Sequence, residues 1–302
     1  MKEVNAHNRA VTCRKENVMI AVTGATGQLG RLVIEQLLKT EAAENVLAIV
    51  RSPEKAADLS AKGVQVRYGD YAQPESLKTA LHGVEKLLLI SSSEVGQREV
   101  QHQAVIDAAK LAGVRLLAYT SLLHADRSPL QLAVEHRATE AYLRSSGLPY
   151  VLLRNGWYTE NYAASIPAAL AHGVFAGAAG NGEIASASRS DYAEAAAVVL
   201  TLADQAGKIY ELAGDNAYTL GSFSEEIAAV SGKTVKYQDM PQPAFAELLV
   251  SVGLPDGLAE ILADSDAGAA NGALFDESHT LSRLIGRPAT PWQSVVKAAC
   301  QA

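Results

Sequence analysis

The chain has 302 residues, 48% hydrophobic and 20% charged, with a formal net charge of −7, a composition that fits a globular protein with a sizeable core and excludes a disordered chain. The acid excess and the lack of any basic run exclude a general nucleic-acid binder, which needs clustered Lys and Arg. Two cysteines near opposite ends, Cys13 and Cys300, give no disulfide framework, the seven histidines show no metal-ligand spacing, and no apolar stretch is long enough to span a membrane, so the expectation is a metal-free protein of a reducing cytoplasm.

Residues 1–17 are mixed and polar and read as a disordered extension without chemistry. Val18 to Val22 then form an apolar run with the look of a buried strand. Gly24, Gly27 and Gly30 follow in the spacing G-x-x-G-x-x-G, and Leu29, Leu32, Val33 and Leu37 recur at helical spacing. Strand, glycine turn and helix together predict a dinucleotide phosphate site. Gly24 permits the turn, Gly27 lets a pyrophosphate approach, and Gly30 lets the helix pack on the strand. The helix N-terminus adds unpaired N–H groups and the positive end of its dipole. The whole turn, Gly24, Ala25, Thr26, Gly27, Gln28, Leu29 and Gly30, is therefore assigned to cofactor. The plainer reading is a tight β-to-α connection.

Val46 to Val50 form the second strand, ending at Arg51; Ser52-Pro53 starts a helix that Gly63 closes. Val64 to Tyr68 are the third strand, ending in Gly69-Asp70. Pro74 to Leu81 are helical, and Lys86 to Ile90 form a fourth strand ending in Ser91, Ser92 and Ser93. A long helix spans Gln97 to Ala112, and Arg115 to Thr120 are the fifth strand. Leu130 to Ser145 form another helix, and Tyr150 to Leu153 a sixth strand leading into Asn155. Such strict alternation implies an α/β fold, a Rossmann-type doubly wound parallel sheet over residues 18–155. Its ligands belong at the carboxyl ends of the strands, which singles out Arg51, Asp70, Ser91 to Ser93 and the segment from Asn155.

From residue 156 to 302 the pattern changes to a smaller, mainly helical α/β region, expected to interleave with the first and to cover its site. A helix is expected from Asn161 to about Ala171 and a strand over Lys208 to Ala213. The Gly/Ala-rich stretch Gly173 to Gly182 lacks the Lys-Ser/Thr ending of a P-loop and reads as a flexible lid.

AVTGATGQLG (21–30), AIVR (48–51), GVEKLLLISSS (83–93), AYTSLLHA (118–125) and LLRNGWYTENY (152–162) together resemble the NmrA-like, atypical short-chain dehydrogenase/reductases, and most of all their bacterial type 2 quinone-reducing members. The resemblance implies a Rossmann domain that binds NADPH, with NADH weaker, and reduces a small-molecule quinone without flavin. It places Asn155, Gly156, Trp157, Tyr158, Thr159 and Glu160 beside the nicotinamide, with cofactor contacts at Ser91 to Ser93 and adenine near Asp70. Tyr158 and Asn161 are the candidate quinone contacts; Asn161 reads equally as a helix cap, and Trp157 and Tyr158 as core.

The residues constrain the chemistry independently. None of the eleven tyrosines is followed four residues later by Lys, and no Lys lies between Lys110 and Lys208. The Tyr-x-x-x-Lys pair of ordinary short-chain dehydrogenases is therefore missing. His136 and Glu140 occupy that helix instead, on one face; the plain reading is a solvated or mildly structural pair, the sharper one a catalytic acid at His136. Ketone reduction produces a strongly basic alkoxide and needs an acid. Quinone reduction produces a weakly basic hydroquinone anion that water can protonate, so no catalytic residue is assigned. A Ser121-His124-Asp126 hydrolase lacks the G-x-S-x-G elbow. The alternatives are a non-catalytic, NAD(P)-sensing regulator and a triphenylmethane-dye reductase. Arg51 sets the cofactor: with no acid at Val50 or Ser52 to accept from a ribose 2′-OH, a guanidinium there suits a 2′-phosphate. Oligomeric state is left open.

Overall fold

The computed structural model describes residues 18–301; the extension assigned to residues 1–17 lies outside them. Nine strands are described: β1 (Ile20–Thr23), β2 (Val46–Val50), β3 (Gln65–Tyr68), β4 (Lys86–Leu89), β5 (Leu116–Leu122), β6 (Tyr150–Asn155), β7 (Val174–Gly177), β8 (Ile209–Leu212) and β9 (Lys236–Asp239). Seven form one parallel sheet in the order β3-β2-β1-β4-β5-β6-β8. The order reverses between β1 and β4, the switch point where ligands bind in such sheets.

Alternate residues of each strand feed two cores, as period-two side chains must. Ile20, Val22, Ala48 and Val50 meet α1 (Gln28–Leu37), α2 (Ala57–Ala61), α8 (Arg189–Thr201) and α12 (Thr280–Ile285) on one face. Ala21, Leu47, Ile49, Leu87 and Leu89 meet α3 (Pro74–Ala80), α4 (Arg98–Ala112) and α5 (Gln131–Ser146) on the other. The chain leaves this layer after β6 and returns to it as α8, which packs along α1, and β8, which pairs with β6.

Two expected elements differ. The single helix over 161–171 is two, α6 (Thr159–Ala163) and α7 (Ile166–His172), because Pro167 starts a new helix in its first turn. The lid expected at Gly173 to Gly182 is instead β7, paired in parallel with β9, with Phe175, Ala178 and Ala179 buried. Its small residues permit close packing: a Cβ on Gly182 would lie 2.2 Å from the Ala269 carbonyl oxygen.

The smaller region is completed by α9 (Leu220–Ser231), α10 (Gln242–Ser251), α11 (Asp256–Ala269) and α13 (Trp292–Gln301). Tyr162, Phe175, Tyr218, Phe223 and Trp292 form an aromatic cluster within it. Beside the cluster, Asp266 accepts from the Tyr162 hydroxyl at 2.9 Å and from the Ala178 N–H at 3.0 Å.

Burial pushes the Asp266 carboxyl up to about 6, against these two bonds. A carboxyl whose folded value is raised contributes stability at low pH that is lost as pH rises through that value. Between pH 5 and pH 7 this group is expected to lower unfolding free energy by about 1 kcal/mol. Urea unfolding of wild type and Asp266→Asn across that range checks it: the difference between the two is to grow toward low pH, and a constant difference contradicts it.

Candidate functional site

The site is built by the close approach of α1 to the turn before it. Gly24 takes φ +60, and its carbonyl accepts from the Gly27 N–H at 2.9 Å. A Cβ on Gly30 would stand 2.4 Å from that same carbonyl oxygen, so no other residue fits without moving the backbone. Gly27 is the N-cap of α1 and offers no capping side chain, so the first-turn N–H groups have no side-chain acceptor.

At this N-terminus opens a cleft of about 750 Å³. Of the residues singled out from sequence, Gly24, Thr26, Gly27, Gln28, Leu29, Gly30, Arg51, Asp70 and Ser91 to Ser93 line it together. Ala25 is fully buried and does not. Asp70 also shapes its own turn, its carboxylate accepting from the Ala72 N–H at 3.0 Å.

Arg51 extends from the end of β2 and pairs with Glu94 at 2.7 Å. The other Glu94 oxygen accepts from Gln101 at 2.8 Å. Gln101 and Arg51 together hold the Glu94 carboxyl below its usual range. The serines do not cap α4, whose N-cap is Gln97. They are pinned from beneath. The Ser91 N–H donates to Thr120 Oγ1 at 2.9 Å and the Ser92 N–H to His102 Nε2 at 2.9 Å. Arg98 Nε donates to the Ser92 carbonyl at 2.6 Å. His102 Nδ1 lies 2.9 Å from Thr139 Oγ1, which itself donates to the Glu135 carbonyl, so the imidazole proton sits on Nδ1. Burial pushes His102 down to about 3, which keeps it neutral and the Ser92 bond intact at ordinary pH.

Asn155 to Asn161 do not line this cleft. Asn155, Gly156, Trp157 and Thr159 are buried, and Trp157 stacks at a tilt on Tyr162. Asn155 Oδ1 and Trp157 Nε1 are buried without a hydrogen-bond partner. Thr159 shares a 2.7 Å bond with Ser186. Arg189 ties the rest: its guanidinium lies 4.9 Å from the Tyr158 ring centroid and donates to Asn161 Oδ1 at 2.7 Å, while its N–H donates to Glu160 at 3.0 Å. Asn161 lies inside α6, so it is no cap.

His136 and Glu140 are not a solvated pair. His136 is buried against the Tyr119 hydroxyl at 2.7 Å, and burial holds its imidazole well below the ordinary value. Glu140 accepts from Arg154 Nε at 2.9 Å and Nη2 at 2.7 Å, and from the Ser121 hydroxyl at 2.6 Å. Both face inward because α5 lies on β5 and β6.

Sequence reasoning missed Lys55, Tyr71, Glu94 and Gln101, which also line the cleft. Lys55 and Tyr71 follow strand ends already singled out and were within reach of the same argument. Glu94 and Gln101 enter through a loop and a helix face with no local signature.

Sheet order, glycine turn and a cleft at the switch point define a Rossmann-type dinucleotide-binding protein. Residues 24–203 match the family described as NAD(P)H-binding. Quinone oxidoreductase 2 of Escherichia coli (strain K12) is 63% identical over 272 residues, 90% of this chain and 95% of that protein. The crystal structure of NADPH-dependent quinone oxidoreductase QOR2 from Escherichia coli complexed with NADPH matches with a TM-score of 0.91 at 61% identity, covering 93% of this chain and 99% of that one. Triphenylmethane reductase from Citrobacter sp. complexed with NADP(H) matches with a TM-score of 0.89 at 41% identity, covering 93% and 99%. This chain belongs to the NAD(P)H-binding family. None of its described helices is long and apolar enough to cross a membrane, and no group of three or more His, Cys, Asp or Glu among the described residues is placed to hold a metal.

Gly27→Val is expected to abolish dinucleotide binding and leave a folded protein. Its Cβ would meet only the Gly24 oxygen, at 3.1 Å, and its methyls would fill the room at the α1 N-terminus where a pyrophosphate is expected. Calorimetric titration with NADPH beside a melting curve checks it; retained affinity contradicts the phosphate placement.

Proposed function

We propose that the chain is an NADPH-dependent quinone reductase of the cytoplasm, working without flavin or metal. The observation that carries this reading is the commitment of α5. Where an ordinary short-chain dehydrogenase places its Tyr-Lys pair, this helix presents His136 and Glu140, both buried and bonded into the fold. No acid is offered from that helix, so the acceptor must yield a product anion that water can protonate, as a quinone does. The high identity to an Escherichia coli quinone oxidoreductase over nearly the whole chain supports the same reading.

Bound NADPH supplies the hydride. The chain supplies position. The N–H groups of Gln28, Leu29 and Gly30 take the pyrophosphate, and Asp70 lies at the adenine end. Arg51 takes the 2′-phosphate through two guanidinium N–H groups, and Ser91 to Ser93 form the floor. Asn155 to Glu160 border the nicotinamide, where the unpartnered Asn155 oxygen and Trp157 N–H await polar partners. Tyr158 offers a flat face to the quinone. Asn161 gives its oxygen to Arg189 and keeps its NH2 group to donate to a quinone oxygen.

Mixing protein, NADPH and a soluble benzoquinone should give steady loss of the nicotinamide absorbance, from protein whose own spectrum carries no flavin band. Absence of turnover with tight NADPH binding would make the chain a dinucleotide sensor. His136→Ala is expected to lower stability, through the lost Tyr119 bond, and to change turnover of the folded enzyme less than about tenfold; a fall of about two orders of magnitude, the scale of a lost general acid, would make His136 the catalyst. Arg51→Ala is expected to weaken NADPH by about ten- to a hundredfold, the scale of a charge-assisted bond, and to leave NADH nearly untouched. Equal losses for both would place Arg51 away from the 2′-phosphate.

A further inference from the structure

The guanidinium at the end of β2 is already engaged. Arg51 Nη1 lies 2.7 Å from Glu94 Oε1, and both side chains line the same cleft. Gln101 holds the second Glu94 oxygen at 2.8 Å. We propose that Glu94 is an internal competitor for Arg51, and so a residue that tunes the choice between NADPH and NADH. This rests on the placement of the 2′-phosphate at Arg51.

The chemistry of the two cofactors makes the competition selective. A 2′-phosphate needs the guanidinium donors that Glu94 holds. A ribose 2′-hydroxyl makes no such demand and leaves the Arg51–Glu94 pair in place. Every unit of affinity that Arg51 gives the phosphate is therefore reduced by the strength of the pair it must break.

The surroundings confine this exchange to one side chain. Beneath Glu94, the Ser92 N–H and carbonyl are both held, by His102 at 2.9 Å and Arg98 at 2.6 Å. The Ser92 hydroxyl accepts from the Glu94 N–H at 3.1 Å, and the Glu94 carbonyl accepts from the Gln97 N–H at 3.0 Å. The loop is anchored through its backbone, while the Glu94 side chain is 44% exposed and held only through its two carboxylate bonds. Displacement thus requires rotation about the Glu94 torsions and loss of the exposed bond to Arg51 and of the part-buried bond to Gln101, with no opening of the loop.

An exposed ion pair of this kind is worth about a two- to fivefold change in affinity. Glu94→Gln is accordingly expected to tighten NADPH by about that factor and to shift NADH by less than the same factor, in titrations of folded protein followed by nicotinamide fluorescence. The same substitution in an Arg51→Ala background separates the causes. If Glu94 acts by occupying Arg51, the NADPH gain disappears there. A gain that persists without Arg51 is bulk charge relief and overturns the competitor. No gain with NADPH, or equal gains with both cofactors, also overturns it. Failure of the underlying phosphate placement is read separately, since Arg51→Ala alone would then weaken both cofactors equally or neither. Unchanged melting temperatures of the Glu94 and Arg51 variants, whose side chains are 44% and 64% exposed, tie the shifts to the site.

Discussion

Everything at the cleft depends on one contact made without side chains: the first turn of α1 resting on the carbonyl of Gly24. A side chain at residue 30 would place an atom 2.4 Å from that oxygen, so the helix would be pushed off β1. Its N-terminus would then no longer point across the switch point. The same approach sets how the outer face of α1 meets α8, so the phosphate cradle and a large part of one core share a geometric origin.

Around that contact the polar groups divide by depth. The deepest charged network is fully paired. Arg154, with its side chain 5% exposed, binds Glu140, Asp126 and Glu211, and such a network is costly to break although its net contribution is modest. Rim groups pair in exchangeable ways, as Arg51 does with Glu94. Between them lie Asn155 Oδ1 and Trp157 Nε1, buried and unpartnered. A protein tolerates few such atoms, and they stand at the last residue of β6 and two residues beyond it, the end of the strand where such sheets place their ligands.

The alternation of strands and helices to Asn155 was legible because buried parallel strands read as unbroken apolar runs and glycines mark the helix ends. The glycine turn and Arg51 were legible because their chemistry is local to a strand end. β7 was not: Val174–Gly177 is only four residues long and sits in a Gly/Ala-rich stretch, and its identity as a strand comes from pairing with β9, more than fifty residues later. The inward orientation of His136 and Glu140 was also hidden. Charged residues at helical spacing read as a wet face until a buried Arg154 and Tyr119 are brought opposite them. Glu94 escaped for the same reason, since only the fold carries a residue 43 positions away to Arg51.

The return of the chain to the sheet through α8 and β8 bears on how this protein is made. α1 is the first helix of the cofactor site, yet the helix that covers it begins at Arg189 and the edge strand ends at Leu212. A nascent chain that has emerged only through β6 carries the glycine turn and Arg51 but lacks α8, which packs along α1. Contacts between residues so far apart in sequence also slow folding, because the long loop must close before they form. A fragment ending at Asn155 would contain nearly every motif that identifies the cofactor site and still lack the helix that packs along α1 and the strand that pairs with β6.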